Sequence, residues 1–283
     1  MITIKNEFIR AEISEKGAEL RSLSVLGKEY VWQADPEFWG KSCPILFPVC
    51  GGIKDEEAVI DGKVYKLPRH GFARDCIFEL EEVTDTSASF LLRSSEKTLE
   101  IYPFNFEFRV KFALEKKSIR VTYGVKNLSN DVMYYSVGSH EGYSTPEGLE
   151  EYDIVFPEKV TLYSNDLEGA LLGDTATLVI EDSNTLPLKT EYFEADTLIF
   201  RDIPVKSVRL RKKDGSREIK VSFPDFDHLM LWTVMGAKFI CIEAWNGLSD
   251  HKDTDKNLKT KLGIKALSPS SSDEFTHSIE IVR

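Results

Sequence analysis

Proton-transfer chemistry in this chain would have to come from a few residues, and Glu243 is the first of them. It stands in Phe239–Gly247, FICIEAWNG, where four apolar residues run into a carboxylate and more apolar residues follow. A continuous apolar run suits a strand covered on both faces. A carboxylate carried into that setting must be paired, hydrogen-bonded or raised in pKa. A raised carboxylate in a cleft suits general-base work. Taken alone, Glu243 also reads as a strand-end residue turned to solvent at the Asn246-Gly247 turn.

The chain has five histidines, and two have suggestive surroundings. His140 lies in YYSVGSHEGY, after the apolar segment Val132–Val137 and between Gly138 and Gly142. A histidine at the end of a buried strand can reach a cleft; the alternative is a core histidine bonded to a backbone carbonyl. His70 lies in LPRHGFARD, flanked by Arg69 and Arg74, and reads as a rigid turn that aims polar side chains or as an exposed loop histidine. His228, His251 and His277 read as structural or surface positions, with His228 expected to face solvent. Asp196, in EADTLIF, precedes a short apolar strand and by spacing is a turn residue. Trp32, Trp39 and Trp245 are core surfaces or stacking platforms.

Several chemistries lack their residues. There is no nucleophilic serine elbow and no glycine-rich phosphate loop. Cys43, Cys50, Cys76 and Cys241 form no Cys-x-x-Cys pair and have no histidine at zinc-like spacing. Metal binding by His70 and His140 has no ligand-spaced cluster behind it, so no metal and no cofactor are expected. A histidine with a glutamate suits proton transfer on a neutral organic molecule.

The elements that must position these residues are strands. Ile9–Ile13, Phe104–Phe112, Ile119–Val125 and Ile219–Phe223 alternate apolar and polar residues, as half-buried strands do. Asp61-Gly62 and Asp214-Gly215 supply the positive φ that tight hairpins need. Short helices are expected at Asp35–Trp39 and Ser94–Ile101, with a single turn at Tyr192–Ala195. Lys41–Asp55 and Leu248–Asp273 do not read as strands; the second is a solvated or a functional loop. The pattern predicts an all-β chain, a large antiparallel β-sandwich, in one domain spanning residues 1–283. A formal net charge of −11 disfavours binding to nucleic acid or an anionic membrane. The N-terminal stretch lacks a signal-peptide layout and no apolar run approaches membrane-spanning length, which points to the cytoplasm.

The order PRHGFAR, then GSH, then a strand-borne Asp, then CIEAWNG resembles the aldose 1-epimerase (galactose mutarotase-like) family, in particular its bacterial LacX-like branch. The resemblance covers essentially the whole chain. It implies a β-sandwich with a sugar cleft, and exchange of the α and β anomers of an aldose. It implies that His140 is the general acid and Glu243 the general base, that His70 contacts the ring oxygen, and that Asp196 binds sugar hydroxyls. Arg74 resembles an arginine that helps bind phosphate in hexose-6-phosphate mutarotases, and Trp245 is placed to stack on the sugar. For a phosphate, Arg69, Arg74 and Lys54 are the candidate cations, with Arg69 able to point away. The partner is then a small sugar or sugar phosphate, and the protein a monomer or homodimer. A non-catalytic carbohydrate-binding or regulatory protein on the same fold is the other functional class. Three positions depart from the family pattern: Gly52 stands where relatives carry an arginine, and Glu141 and Ala244 stand where they carry prolines.

Overall fold

The alternating segments become the strands of two large antiparallel sheets (computed structural model, all 283 residues). The larger sheet has nine strands, in the order Leu171–Pro187, Tyr152–Glu168, Ser207–Lys212, Glu218–Ser222, Ser272–Ile281, Ser118–Asn127, Phe106–Glu115, Ser87–Arg93 and Glu79–Val83. Phe106, Phe108, Val110 and Phe112 all face inward from one strand, as a period of two requires. The opposing sheet has six strands. At its centre Phe239–Trp245 pairs with His228–Trp232 on one side, and with Gly138–Ser139 and Glu141–Ser144 on the other. Leu198–Phe200 and Ile45–Leu46 complete this sheet.

Every residue of Phe239–Trp245 is buried, so both faces of the strand are covered. Alternation divides it cleanly. Ile240, Ile242 and Ala244 join the main hydrophobic core between the sheets. Phe239 and Cys241 face a tryptophan-rich cluster on the far side, with Trp32, Trp39 and Trp232. Trp245 packs there against Leu46, Cys50, Met230 and Leu248. Glu243 belongs to that far face, between the two clusters.

Local elements follow mostly from local chemistry. Asp61 (φ 50°) and Gly62 (φ 77°) join Glu57–Ile60 to Lys63–Lys66 as a two-residue turn with positive φ at both positions. Ser95 caps the helix Glu96–Ile101, its hydroxyl accepting from the Thr98 amide. A 3₁₀ turn occupies Thr190–Phe193, slightly ahead of the expected Tyr192–Ala195. Asp35–Trp39 is not a helix. The Asp35 carboxylate accepts the Glu37 amide, and the Phe38 and Trp39 amides both donate to the Asp35 carbonyl, which closes a single turn that Gly40 follows. Leu248–Asp273 is largely irregular, broken by a 3₁₀ turn at Leu258–Thr260 and the short strand Lys265–Leu267. His228 does not face solvent. It is 5% exposed and its Nδ1 accepts from the Asp202 amide at 3.1 Å, because it shares the far face with Met230 and Trp232. No helix is long and apolar enough to cross a membrane.

Candidate active site

Strand register brings His140 and Glu243 together. Gly138 lies opposite Trp245 and Glu141 opposite Ile242, so His140 falls opposite Glu243 with its side chain on the same face. His140 Nδ1 is 3.5 Å from Glu243 Oε1. Glu141, one residue on, turns to the other face and meets His277 Nε2 at 2.9 Å inside the core. A carboxylate at position 141 is therefore accommodated by a buried imidazole.

The pair forms the floor of a cavity of about 270 Å³. Trp39, Trp232 and Trp245 supply apolar walls; Arg69, His70, Arg74, Asp196 and Thr197 supply polar ones. The His140 ring stacks on Trp39 at 5.1 Å and meets Trp232 edge-on at 5.6 Å, which fixes its plane. All six residues expected from the sequence, His70, Arg74, His140, Asp196, Glu243 and Trp245, line this one cavity.

His70 has a donor at each ring nitrogen: the Gly51 amide donates to Nδ1 at 3.2 Å and Arg69 Nε–H donates to Nε2 at 3.1 Å. A neutral imidazole accepts at one nitrogen only, so one of these contacts must give way. The Gly51 amide is fixed in the backbone, whereas the Arg69 side chain is 44% exposed and able to swing aside, which frees Nε2–H to donate to a bound oxygen. Arg69 further approaches Asp196 at 3.7 Å, and Asp196 takes a φ of 113°, rare for a residue with a side chain. Arg74 donates to the Arg69 carbonyl at 2.9 Å, which ties the two arginines to the turn that carries His70.

Burial governs the charge of the dyad. It pushes the Glu243 carboxyl well above its ordinary 4.5; nearby Arg69 opposes this and Glu141 adds to it. Burial, with Arg74 and Arg69, pulls the His140 imidazole from 6.5 down to about 3. His70 is likewise held neutral, by burial first and by His140 and the arginines next. The resemblance implies an ionised Glu243 and a protonated His140. As the side chains lie, burial favours the uncharged tautomer of the pair, with the single proton on Glu243.

Three further wall residues carry no clear site signal in the sequence. Trp39 reads chiefly as core. Trp232 has no motif, although its register opposite Cys241 places it on the Glu243 face. Thr197 follows Asp196 and offers no signal of its own. Of the three candidate phosphate cations, Arg69 and Arg74 line the cavity and Lys54 does not. The Lys54 ammonium is bound to the Lys252 carbonyl at 2.6 Å, which removes it as a phosphate ligand.

Gly52 has a steric cause. A Cβ there would lie 2.3 Å from the Ala170 carbonyl, at the tip of the long hairpin Tyr152–Glu168/Leu171–Pro187. Gly52→Arg is expected to destabilise the fold by at least about 1–3 kcal/mol, as overpacked sites do. An unchanged urea midpoint would remove this packing account.

The aldose 1-epimerase family profile matches residues 1–256, and the chain belongs to that family. It is 32% identical to protein LacX of Lactococcus lactis subsp. lactis over an alignment of 296 positions, covering 99% of each chain. The structure is similar to that of a galactose mutarotase related enzyme from Lactobacillus acidophilus (TM-score 0.95, 33% identity, 100% of this chain and 97% of the other). It is also similar to a galactose mutarotase-like protein from Lactobacillus casei (TM-score 0.93, 28% identity, 99% of each chain). The fold is thus galactose mutarotase-like, and the family acts on sugars.

Proposed function

We propose that this protein is an aldose 1-epimerase that exchanges the α and β anomers of a free hexose, without a cofactor, in the cytoplasm. The observation that carries the reading is the His140–Glu243 pair, 3.5 Å apart on the floor of a cavity walled by tryptophans and arginines. The reacting oxygens of a sugar hemiacetal, O1 and O5, are bonded to one carbon. An acid and a base side by side suit that arrangement.

Ring opening moves one proton at each oxygen. Glu243 takes the proton from the O1 hydroxyl while His140 gives one to O5, and the C1–O5 bond breaks. The aldehyde turns about C1–C2, and the steps reverse on its other face. Glu243 is then protonated and His140 neutral, which is the tautomer that burial favours. The protein therefore stabilises the dyad that accompanies the open-chain aldehyde. His70 Nε2–H orients O5, Asp196 and Arg69 hold hydroxyls, and Trp245 stacks on the apolar sugar face. Each positioned proton transfer is typically worth about 10²–10⁴ in rate.

The test is anomer exchange by saturation-transfer NMR on a panel of free hexoses and hexose 6-phosphates. Exchange above the spontaneous rate for at least one member is the expected result; the spontaneous rate throughout would sink the enzyme reading. A second reading, a hexose phosphate as substrate, is favoured by the two guanidinium groups, Arg69 and Arg74, on the cavity wall. On that reading Arg74→Ala lowers kcat/KM for the phosphate about tenfold to a hundredfold more than for the free sugar, the worth of a charge-assisted hydrogen bond. An equal effect on both returns the assignment to the free sugar.

A further inference from the structure

We propose a thiophilic metal site just beneath the floor of the cavity, in which His140, Cys241 and Glu243 together hold one divalent cation of the Zn²⁺ class. Ligand atoms of the three residues lie within 4.8 Å of one another. Two polar atoms of this group, His140 Nδ1 and Glu243 Oε2, are buried without a hydrogen-bond partner. His140 is 8% and Glu243 1% exposed, so these are built-in, unsatisfied ligand atoms rather than surface side chains. The strand supplies the third. Cys241 and Glu243 are two residues apart and so share a face. The residue opposite Cys241 is Gly142, so no side chain from that strand separates the thiol from His140.

Charge selects the cation. One thiolate, one carboxylate and one neutral imidazole around a dication sum to zero. A buried site that stays neutral avoids the cost of an isolated charge. Forming it releases the thiol proton and, where Glu243 is protonated, the carboxyl proton; no electrons move. A sulfur and a nitrogen ligand favour Zn²⁺ or Co²⁺ over Mg²⁺ and Ca²⁺, which take oxygen. Three protein ligands leave a fourth tetrahedral position for a water molecule. A cation here occupies both the acid and the base of the proposed reaction, so it acts as an inhibitor. That consequence rests on the epimerase reading; the binding itself does not.

The experiment is a Co²⁺ titration of the metal-free full chain, kept reduced with a phosphine. The expected result is a 1:1 complex with a thiolate-to-cobalt charge-transfer band in the near ultraviolet. Zn²⁺ should abolish the band and Mg²⁺ should not. Cys241→Ser should remove it and Cys76→Ser should keep it. His140→Asn should weaken binding at least tenfold, a second check should Cys241→Ser fail to fold. No band in the wild type, a band that survives in folded Cys241→Ser, or unchanged affinity in His140→Asn overturns the site. Anomer exchange is read separately. A cobalt band without any exchange sinks the epimerase reading and leaves the metal site standing. Exchange unaffected by saturating Co²⁺ overturns the placement of the metal on the dyad.

Discussion

Glu243→Gln is expected to slow anomer exchange by about 10²–10⁴-fold, the usual worth of one positioned proton transfer, and to raise thermal stability at pH 8. Glutamine keeps the shape and loses the titrating proton. The stability effect follows from where protons bind. Glu243 is raised from 4.5 in the folded state, so its cost appears as the pH climbs above 4.5 and the unfolded chain sheds the proton first. His140 is lowered from 6.5 to about 3, so its contribution is full above 6.5 and is lost as the pH falls toward 3. Between 4.5 and 6.5 the two effects oppose each other, because the unfolded pair keeps a proton on His140 and the raised Glu243 keeps one in the folded pair. Above 6.5 the unfolded pair holds none, and stability declines by at most about 1.4 kcal/mol per pH unit until Glu243 ionises in the folded state. Glu243→Gln removes this alkaline decline. Its melting temperature should match wild type near pH 4 and exceed it increasingly above. Melting curves across pH 4–9, beside exchange rates, check both halves. A variant that keeps wild-type exchange would take Glu243 out of the mechanism. One that melts in parallel with wild type at every pH would refute the buried, protonated carboxyl.

Asp250→Asn should cost about 3–5 kcal/mol, the usual penalty for leaving one partner of a buried ion pair alone. Asp250 and Lys261 side chains are 5% and 3% exposed and meet at 2.7 Å. The other Asp250 oxygen accepts the Lys54 amide at 2.9 Å, and its backbone amide donates to the Gly52 carbonyl at 2.8 Å. Asp250 therefore pins the loop whose Gly51 amide bonds His70 Nδ1. Chemical denaturation measures the loss, and exchange kinetics show whether His70 loses its orientation with it. Asp250→Asn combined with Lys261→Met should recover much of the stability, because no charge is then left unpaired. A loss below about 1 kcal/mol in the single variant would mean that the pair anchors nothing.

Much of this site was legible because it is built from strands. The alternation in Phe104–Phe112 and Ile119–Val125 follows directly from a half-buried sheet, and the unbroken run into Glu243 reflects a strand covered on both sides. His140 and Glu243 could be paired from motif order, but their register depends on hydrogen bonds across the sheet that local sequence does not encode. Trp232 needed that register, since only the pairing with Cys241 turns it to the cavity. Arg69 could not be aimed from its neighbours, because the positive φ of His70 (65°) sets the direction of that turn. The burial of His228 and the irregular course of Asp35–Trp39 were decided by tertiary packing, which local sequence does not encode. Gly52 looked like a lost ligand; its cause is the carbonyl of a residue more than a hundred positions away.

One consequence follows from the way a single strand separates core from cavity. Ile242 and Glu243 are neighbours that face opposite worlds, one the main core and the other the tryptophan-walled cavity. A slip of one residue in the pairing of Phe239–Trp245 would exchange them, sending a carboxylate into the core and an isoleucine to the cavity floor. No partly misregistered molecule could then retain the dyad. Recovered activity after refolding would thus serve as a reporter of strand register, counting the correctly threaded molecules where a circular dichroism spectrum would count every sheet alike.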